Sequence, residues 1–191
     1  MPNIVLVGFM GTGKTVVGQE LSKRLNMPLI DTDDVIEEDS GMIISEIFVQ
    51  FGEPHFRDLE SEAVRKVSRL DGYVISTGGG AVIRESNVQE FKKNGIVFCL
   101  SATPETIFKR VSHETHRPLL QTENPMKRIR ELLEQRAPYY ARADYTIETS
   151  GRRVSDIASE IARIFTEAWK GNGIMAFRLS EKALTIKGGR R

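Results

Sequence analysis

A chain of 191 residues has room for one domain with a sizeable core and is too short for two comfortable ones. Its 27 Lys and Arg nearly cancel its 26 Asp and Glu, which excludes a global field that would draw it to nucleic acid or to an anionic membrane. Met1-Pro2-Asn3 leads into a short apolar run without a basic leader, and no apolar stretch nears the ~20 residues that span a bilayer, so a soluble cytoplasmic protein is expected. The single cysteine, Cys99, excludes an internal disulfide, and its setting in "IVFCLS" reads as a buried strand. The three histidines, His55, His113 and His116, make no zinc-ligand set.

The first element is a short buried strand over 3–7, followed by a helix over 14–26 that Asn26 and Pro28 end. Between them, Gly8, Phe9, Met10, Gly11, Thr12, Gly13, Lys14 and Thr15 fit G-x-x-x-x-G-K-[ST] in the strand-to-helix context the motif requires. Its glycines let consecutive N–H groups turn inward on phosphate oxygens, and the helix start adds positive potential. Lys14 is placed to reach the β and γ phosphates and Thr15 to ligate Mg²⁺, which points to a purine nucleoside triphosphate with that metal. A glycine-rich turn that binds nothing would not need the Lys and Thr as well.

A second strand runs into "LIDTD" and places Asp31 and Asp33 at its carboxyl end, where open α/β sheets hold their ligands. Read as extended chain, two residues apart, the two carboxylates leave on the same side. The plainer alternative is capping of the following helix, "VIEEDSG", for which Asp34 is the best candidate. Next, "GEPHFRDLESEAV" puts Arg57 near the start of a helix with Phe56, Leu59, Ala63 and Val67 on its apolar face. Asp58, Glu60 and Glu62 surround Arg57, so by itself this segment reads as a solvated surface ion pair.

A strand over 73–77 then meets Gly78, Gly79 and Gly80 in "VISTGGGAV", exposing bare backbone that a ligand can approach closely. Further strands are expected over 96–100 and 144–148, and Thr103 and Pro104 mark a helix start between them. "HETHRPLLQ" is a polar connection carrying Arg117, suited to a lid over about 112–124. In "LLEQRAPYYARADYTI", Arg136 stands near a helix end before Pro138, where charge compensation alone would account for it. Strands alternating with helical stretches imply an α/β fold with a parallel sheet covered on both faces.

The P-loop "GFMGTGKT", then "DTD", "FR" followed by "E", "GGG", "RPLL" and "R-A-P-Y-Y", in this order, resemble the shikimate kinase family over about residues 1–170. The resemblance implies a nucleoside-kinase-like, three-layer α-β-α sandwich with a five-stranded parallel sheet. It implies transfer of the γ-phosphoryl of ATP to the 3-hydroxyl of shikimate, on the route to chorismate and the aromatic amino acids, by a monomer using Mg²⁺. Carried over, Gly11, Thr12, Gly13, Lys14 and Thr15 would bind the nucleotide, with Arg110 over adenine and Arg117 as the lid arginine. Asp33 would hold the shikimate hydroxyls and accept a proton, Arg57 and Arg136 would grip the carboxylate, and the Gly78, Gly79 and Gly80 backbone would face the substrate. Thr15 and Asp31 would serve the metal, with Ser76 close by, and Lys14, Asp33 and Arg117 would form the catalytic set.

Two features depart from the resemblance. "TSGRRVSD" carries Val154 and Ser155 where a proline is usual, and residues 171–191 form an extension without assigned role. Two rivals use the same phosphate loop: a kinase for gluconate or another small hydroxy acid, and a non-catalytic ATP-sensing module. Neither needs Asp33, Arg57 and Arg136 as a set.

Overall fold

The computed structural model describes residues 1–112 and 124–171. Arg117, His113 and His116, nearly all of the expected lid and the extension beyond 171 lie outside the described residues.

Strand β1 (Asn3–Gly8) is buried along its whole length, and its alternating side chains serve two different cores. Val5 and Val7 face one cluster with Ile75, Val97, Cys99 and Phe91, while Ile4 and Leu6 face another with Leu21, Phe98, Leu100, Ile157 and Ile161. Strands β2 (Leu29–Asp31), β3 (Val74–Ser76), β4 (Gly95–Ser101) and β5 (Tyr145–Glu148) complete a sheet in the order β2-β3-β1-β4-β5. Every pairing is parallel, as the alternation of strands and helices implies. The expected strand boundaries hold to within about a residue.

Helices α1 (Lys14–Leu25) and α7 (Val154–Gly171) cover one face of the sheet. α2 (Thr32–Ser40), α3 (Ile44–Val67), α4 (Glu85–Asn94), α5 (Pro104–Val111) and α6 (Pro125–Tyr140) supply the helical side chains of the other. Fully buried Phe91, Leu21 and Ile107 contribute about 1.5–3 kcal/mol each relative to exposure, which sets the scale on which any polar group of the site must be compensated. Asn26 ends α1 in a left-handed conformation, and Thr103 caps α5 by accepting from the Thr106 N–H, both as the sequence indicates.

Three features were misread or missed in the sequence. β2 stops at Asp31 and α2 begins at once, so Asp33 sits in a first helical turn and not in an extended segment. The cause is local: the Asp31 carboxylate accepts from the Asp33 N–H at 3.0 Å and is itself the N-cap, the role expected of Asp34. α3 is broken at Gly52, whose φ of 78° and ψ of 175° no helix allows, and Pro54 opens the second arm that carries Arg57. α6 continues through Pro138 to Tyr140, so Arg136 is not an end-of-helix charge.

The register places three chain reversals side by side. Leu6 pairs with Ser76 and Ser76 with Asp31, so the loop after β1, the cap of α2 and the turn at Gly78–Gly80 leave the same edge of the sheet.

Candidate active site

The loop after β1 is shaped by glycine where other residues would not fit. A Cβ on Gly8 would lie 2.3 Å from the Leu100 carbonyl oxygen, and Gly11 and Gly13 have φ of 73° and 98°. Lys14 Nζ folds back and donates to the carbonyls of Gly8 at 2.9 Å and Phe9 at 3.1 Å, which keeps its ammonium over the loop mouth. Thr12 is buried and donates to the Phe9 carbonyl, while Thr149 Oγ1 donates to the Thr12 carbonyl at 3.0 Å. Arg110 ties the loop to the end of β5, donating to the Gly11 carbonyl at 3.0 Å and the Thr149 carbonyl at 2.9 Å. Thr149 is therefore a support that sequence inspection missed; no local signal marks it.

A cavity of about 530 Å³ opens beside this loop, lined by Thr15, Gln19, Asp31, Asp33, Asp34 and Ser76 among others. Ser76 Oγ is buried without a hydrogen-bond partner among the described residues, and so is Asp33 Oδ1. Hydroxyl and carboxylate oxygens of this kind suit a hard divalent cation. Among the described residues no three acidic, histidine or cysteine side chains form a cage.

Burial pushes the Asp33 carboxyl up to about 7, with Asp31 and Glu60 adding to the effect and Lys14 opposing it. Asp33 thus changes charge close to neutral pH.

On the other side of Asp33, the glycine turn is where distant charges meet. A Cβ on Gly78 would lie 2.6 Å from Asp33 Oδ1, and one on Gly80 only 2.2 Å from Arg57 Nη1. These glycines are empty because side chains of α2 and α3 occupy the space. Arg136 Nη1 approaches the Gly79 carbonyl oxygen at 3.5 Å with its guanidinium over the Phe9 ring. The structure brings Asp33, Arg57, Gly78, Gly79, Gly80 and Arg136 together, next to the phosphate loop.

Arg57 is not a solvated surface pair. Its side chain is 12% exposed and bonds at 2.8 Å to Glu60, whose own side chain is only 1% exposed, while Glu53 binds the outer edge at 2.9 Å. Arg84, from the start of α4, donates to the Arg57 carbonyl at 2.9 Å and pairs with Asp58 at 2.8 Å, closing the arrangement. Burial raises the Glu60 carboxyl above its usual range against the pull of Arg57. Glu60 belongs to the site as the residue that holds Arg57, although the sequence reading left it among surface acids. Cys99 is buried, and burial pushes its thiol up to about 11, so it is inert packing as expected.

A parallel sheet with a glycine-rich phosphate loop between its central strand and a helix, flanked by a separate polar cluster, defines a P-loop small-molecule kinase. The family model for shikimate kinase matches residues 10–166. A shikimate kinase of Thermodesulfovibrio yellowstonii is 47% identical over 171 residues, covering 90% of this chain and 99% of that protein. One of Caldanaerobacter subterraneus subsp. tengcongensis is 50% identical over 165 residues, covering 86% and 96%. The solved shikimate kinase of Acinetobacter baumannii in complex with shikimate superimposes with a TM-score of 0.82 at 39% identity, covering 87% of this chain and 94% of that one. The chain belongs to the shikimate kinase family, and it is an ATP-dependent phosphotransferase acting on an alcohol group.

Proposed function

We propose that the phosphate loop and the glycine turn are the donor and acceptor halves of one site, which transfers the γ-phosphoryl of ATP to the 3-hydroxyl of shikimate. The observation that carries this reading is the convergence of Asp33, Arg57 and Arg136 on Gly78–Gly80, beside the mouth of the loop. A ring with hydroxyls and one carboxylate calls for a carboxylate that accepts a hydroxyl proton and for guanidinium forks that grip an anion. The Acinetobacter relative was solved with shikimate, which supports the same acceptor here.

In this reading the backbone N–H groups of Gly11 to Thr15 cradle the phosphates, and Lys14 stabilises charge on the transferring group. Asp33 orients the acceptor hydroxyl and takes its proton late, a role suited to a carboxyl near 7. Arg57 and Arg136 hold the acceptor carboxylate. Thr15, Asp31 and Ser76 would hold Mg²⁺, which would supply positive charge against the negative charge that develops in phosphoryl transfer. Arg110 would lie beside the nucleotide base, and Arg117, outside the described residues, keeps its lid role from the family resemblance alone. On this reading residues 1–170 are one domain acting as a monomer in the cytoplasm, and the extension over 171–191 is given no role.

The test offers the purified protein shikimate, quinate, gluconate or no acceptor, with ATP and Mg²⁺, and identifies the product by mass spectrometry. Shikimate should be strongly preferred, with very slow turnover on water alone. Arg136→Ala should lose at least about thirtyfold in kcat/KM for shikimate, from about 2–5 kcal/mol for truncating one partner of a buried charge contact. Equal use of gluconate would favour the rival kinase, and tight ATP binding with no acceptor used would favour the sensor.

A further inference from the structure

The turn at Gly78–Gly80 has its carbonyls fully engaged. The Gly78 carbonyl accepts from the Ala81 N–H at 3.2 Å and the Gly80 carbonyl from the Ile83 N–H at 2.9 Å, which closes the turn internally. The Gly78 N–H donates to Thr32 Oγ1 at 3.2 Å. The Gly79 carbonyl is held from outside: Tyr140 Oη donates to it at 2.8 Å, across a separation of 61 residues, with Arg136 behind at 3.5 Å. No described residue accepts from the N–H groups of Gly79 and Gly80.

We infer that Tyr140 is a positioning residue for the acceptor: by fixing the Gly79 carbonyl toward α6 it aims the Gly80 N–H at the substrate, and so contributes to acceptor affinity without touching the acceptor. The geometry follows from the trans peptide, in which the carbonyl of one residue and the N–H of the next point in opposite directions. The carbonyl that Tyr140 pins and the N–H that faces away share one rigid plane. Glycine at 79 and 80 leaves that plane free to rotate in the absence of a hold, so an external donor is needed to select one orientation.

Tyr140 suits the task. Its side chain is buried in the core cluster that α6 shares with Phe9 and Cys99, which holds the ring in place. Burial pushes its hydroxyl up to about 12, which keeps it a donor across the working range. It also lies on the same helix as Arg136, so one element sets both the guanidinium and the amide that meet the acceptor.

This inference rests on the acceptor site proposed above, and the experiment separates the two. In the full chain, Tyr140→Phe removes one oxygen and keeps the packing. The KM for shikimate should rise about tenfold, the effect of losing one buried hydrogen bond and leaving the Gly79 carbonyl only the longer contact from Arg136, while the KM for ATP stays within about twofold. Tyr140→Met, which fills the space without a donor, should reproduce the split if the Phe variant folds poorly. Arg136→Ala is run beside them. If Arg136→Ala raises the shikimate KM and neither Tyr140 variant does, the inference fails and the acceptor site stands. Equal rises in both KM values would mean that Tyr140 serves general packing, which also overturns it. If Arg136→Ala has no effect on shikimate kinetics, the acceptor site itself is wrong.

Discussion

The two halves of the proposed site are built in different ways. The phosphate loop is local: eight consecutive residues supply its glycines, its lysine and its threonine, and its ligand-facing groups are largely backbone. The acceptor half draws Asp33 from α2, Arg57 and Glu60 from the second arm of α3, the glycine turn from the end of β3 and Arg136 with Tyr140 from α6. A local site is held by the allowed conformations of its own chain. An assembled site must be held by buried pairs, and each pair carries a desolvation cost that only good geometry offsets. The difference predicts where substitutions change chemistry alone and where they also change stability.

The largest effect should come from the local half. Lys14→Ala is expected to reduce phosphoryl transfer by about a thousandfold or more, because the ammonium acts on charge that develops in the transition state. The melting temperature should barely change, since the hydrogen bonds from Lys14 to the Gly8 and Phe9 carbonyls lie within the phosphate loop itself. Circular dichroism and a coupled ADP assay measure both, and near-normal turnover would remove the donor half from the mechanism.

Asp33 should behave in the opposite manner. Its carboxyl ionises near 3.8 in the unfolded chain and near 7 in the fold, so the folded state binds the proton more tightly. Stability is therefore full below about pH 4 and is lost as pH rises to about 7. Asp33→Asn removes that loss: in the ligand-free protein it should be more stable than the native chain at pH 8, by at most about 4 kcal/mol, and equal to it at pH 4. The same variant should be nearly inactive, and kcat/KM of the native enzyme should climb through about pH 7 as the carboxylate forms. Urea titrations at the two pH values decide it, and a variant less stable at pH 8 would show that Asp33 is not strained by burial.

The smallest effect is expected from removing neither half. Ending the chain at Gly171 leaves the sheet and its covering helices whole, so stability should change by less than about 0.5 kcal/mol and activity by less than about twofold. A larger loss in a truncated chain, read by melting and by shikimate kinetics, would show that the extension packs on one of the halves.

The same contrast explains how much of the molecule was legible in its sequence. The strands, the parallel sheet and the phosphate loop follow from periodicity and one motif, because each depends on neighbours in the chain. Asp31 and Asp33 were placed correctly at the strand end, and Asp31 is extended as expected, but Asp33 is helical, since a three-residue strand leaves room for the helix to start at once on an Asp31 cap. Arg57 and Glu60 read as surface charges because an i,i+3 pair looks the same in water or in a core, and the groups that close over it, the Gly80 backbone and Arg84 among them, come from distant parts of the chain. The bond between Tyr140 and Gly79 leaves no trace at all in local pattern.

The broken helix α3 has a mechanical meaning. In a straight helix Phe48 and Phe56 would stand about 12 Å apart along the axis. The corner at Gly52 brings their ring centroids to 4.5 Å, so the two arms are clasped like an elbow. One arm ends in exposed Phe51 and Val49, and the other begins with Glu53, Pro54 and Arg57. The dihedral angles of one glycine therefore act as a crank setting, fixing how far an outward apolar surface and an inward guanidinium stand from each other.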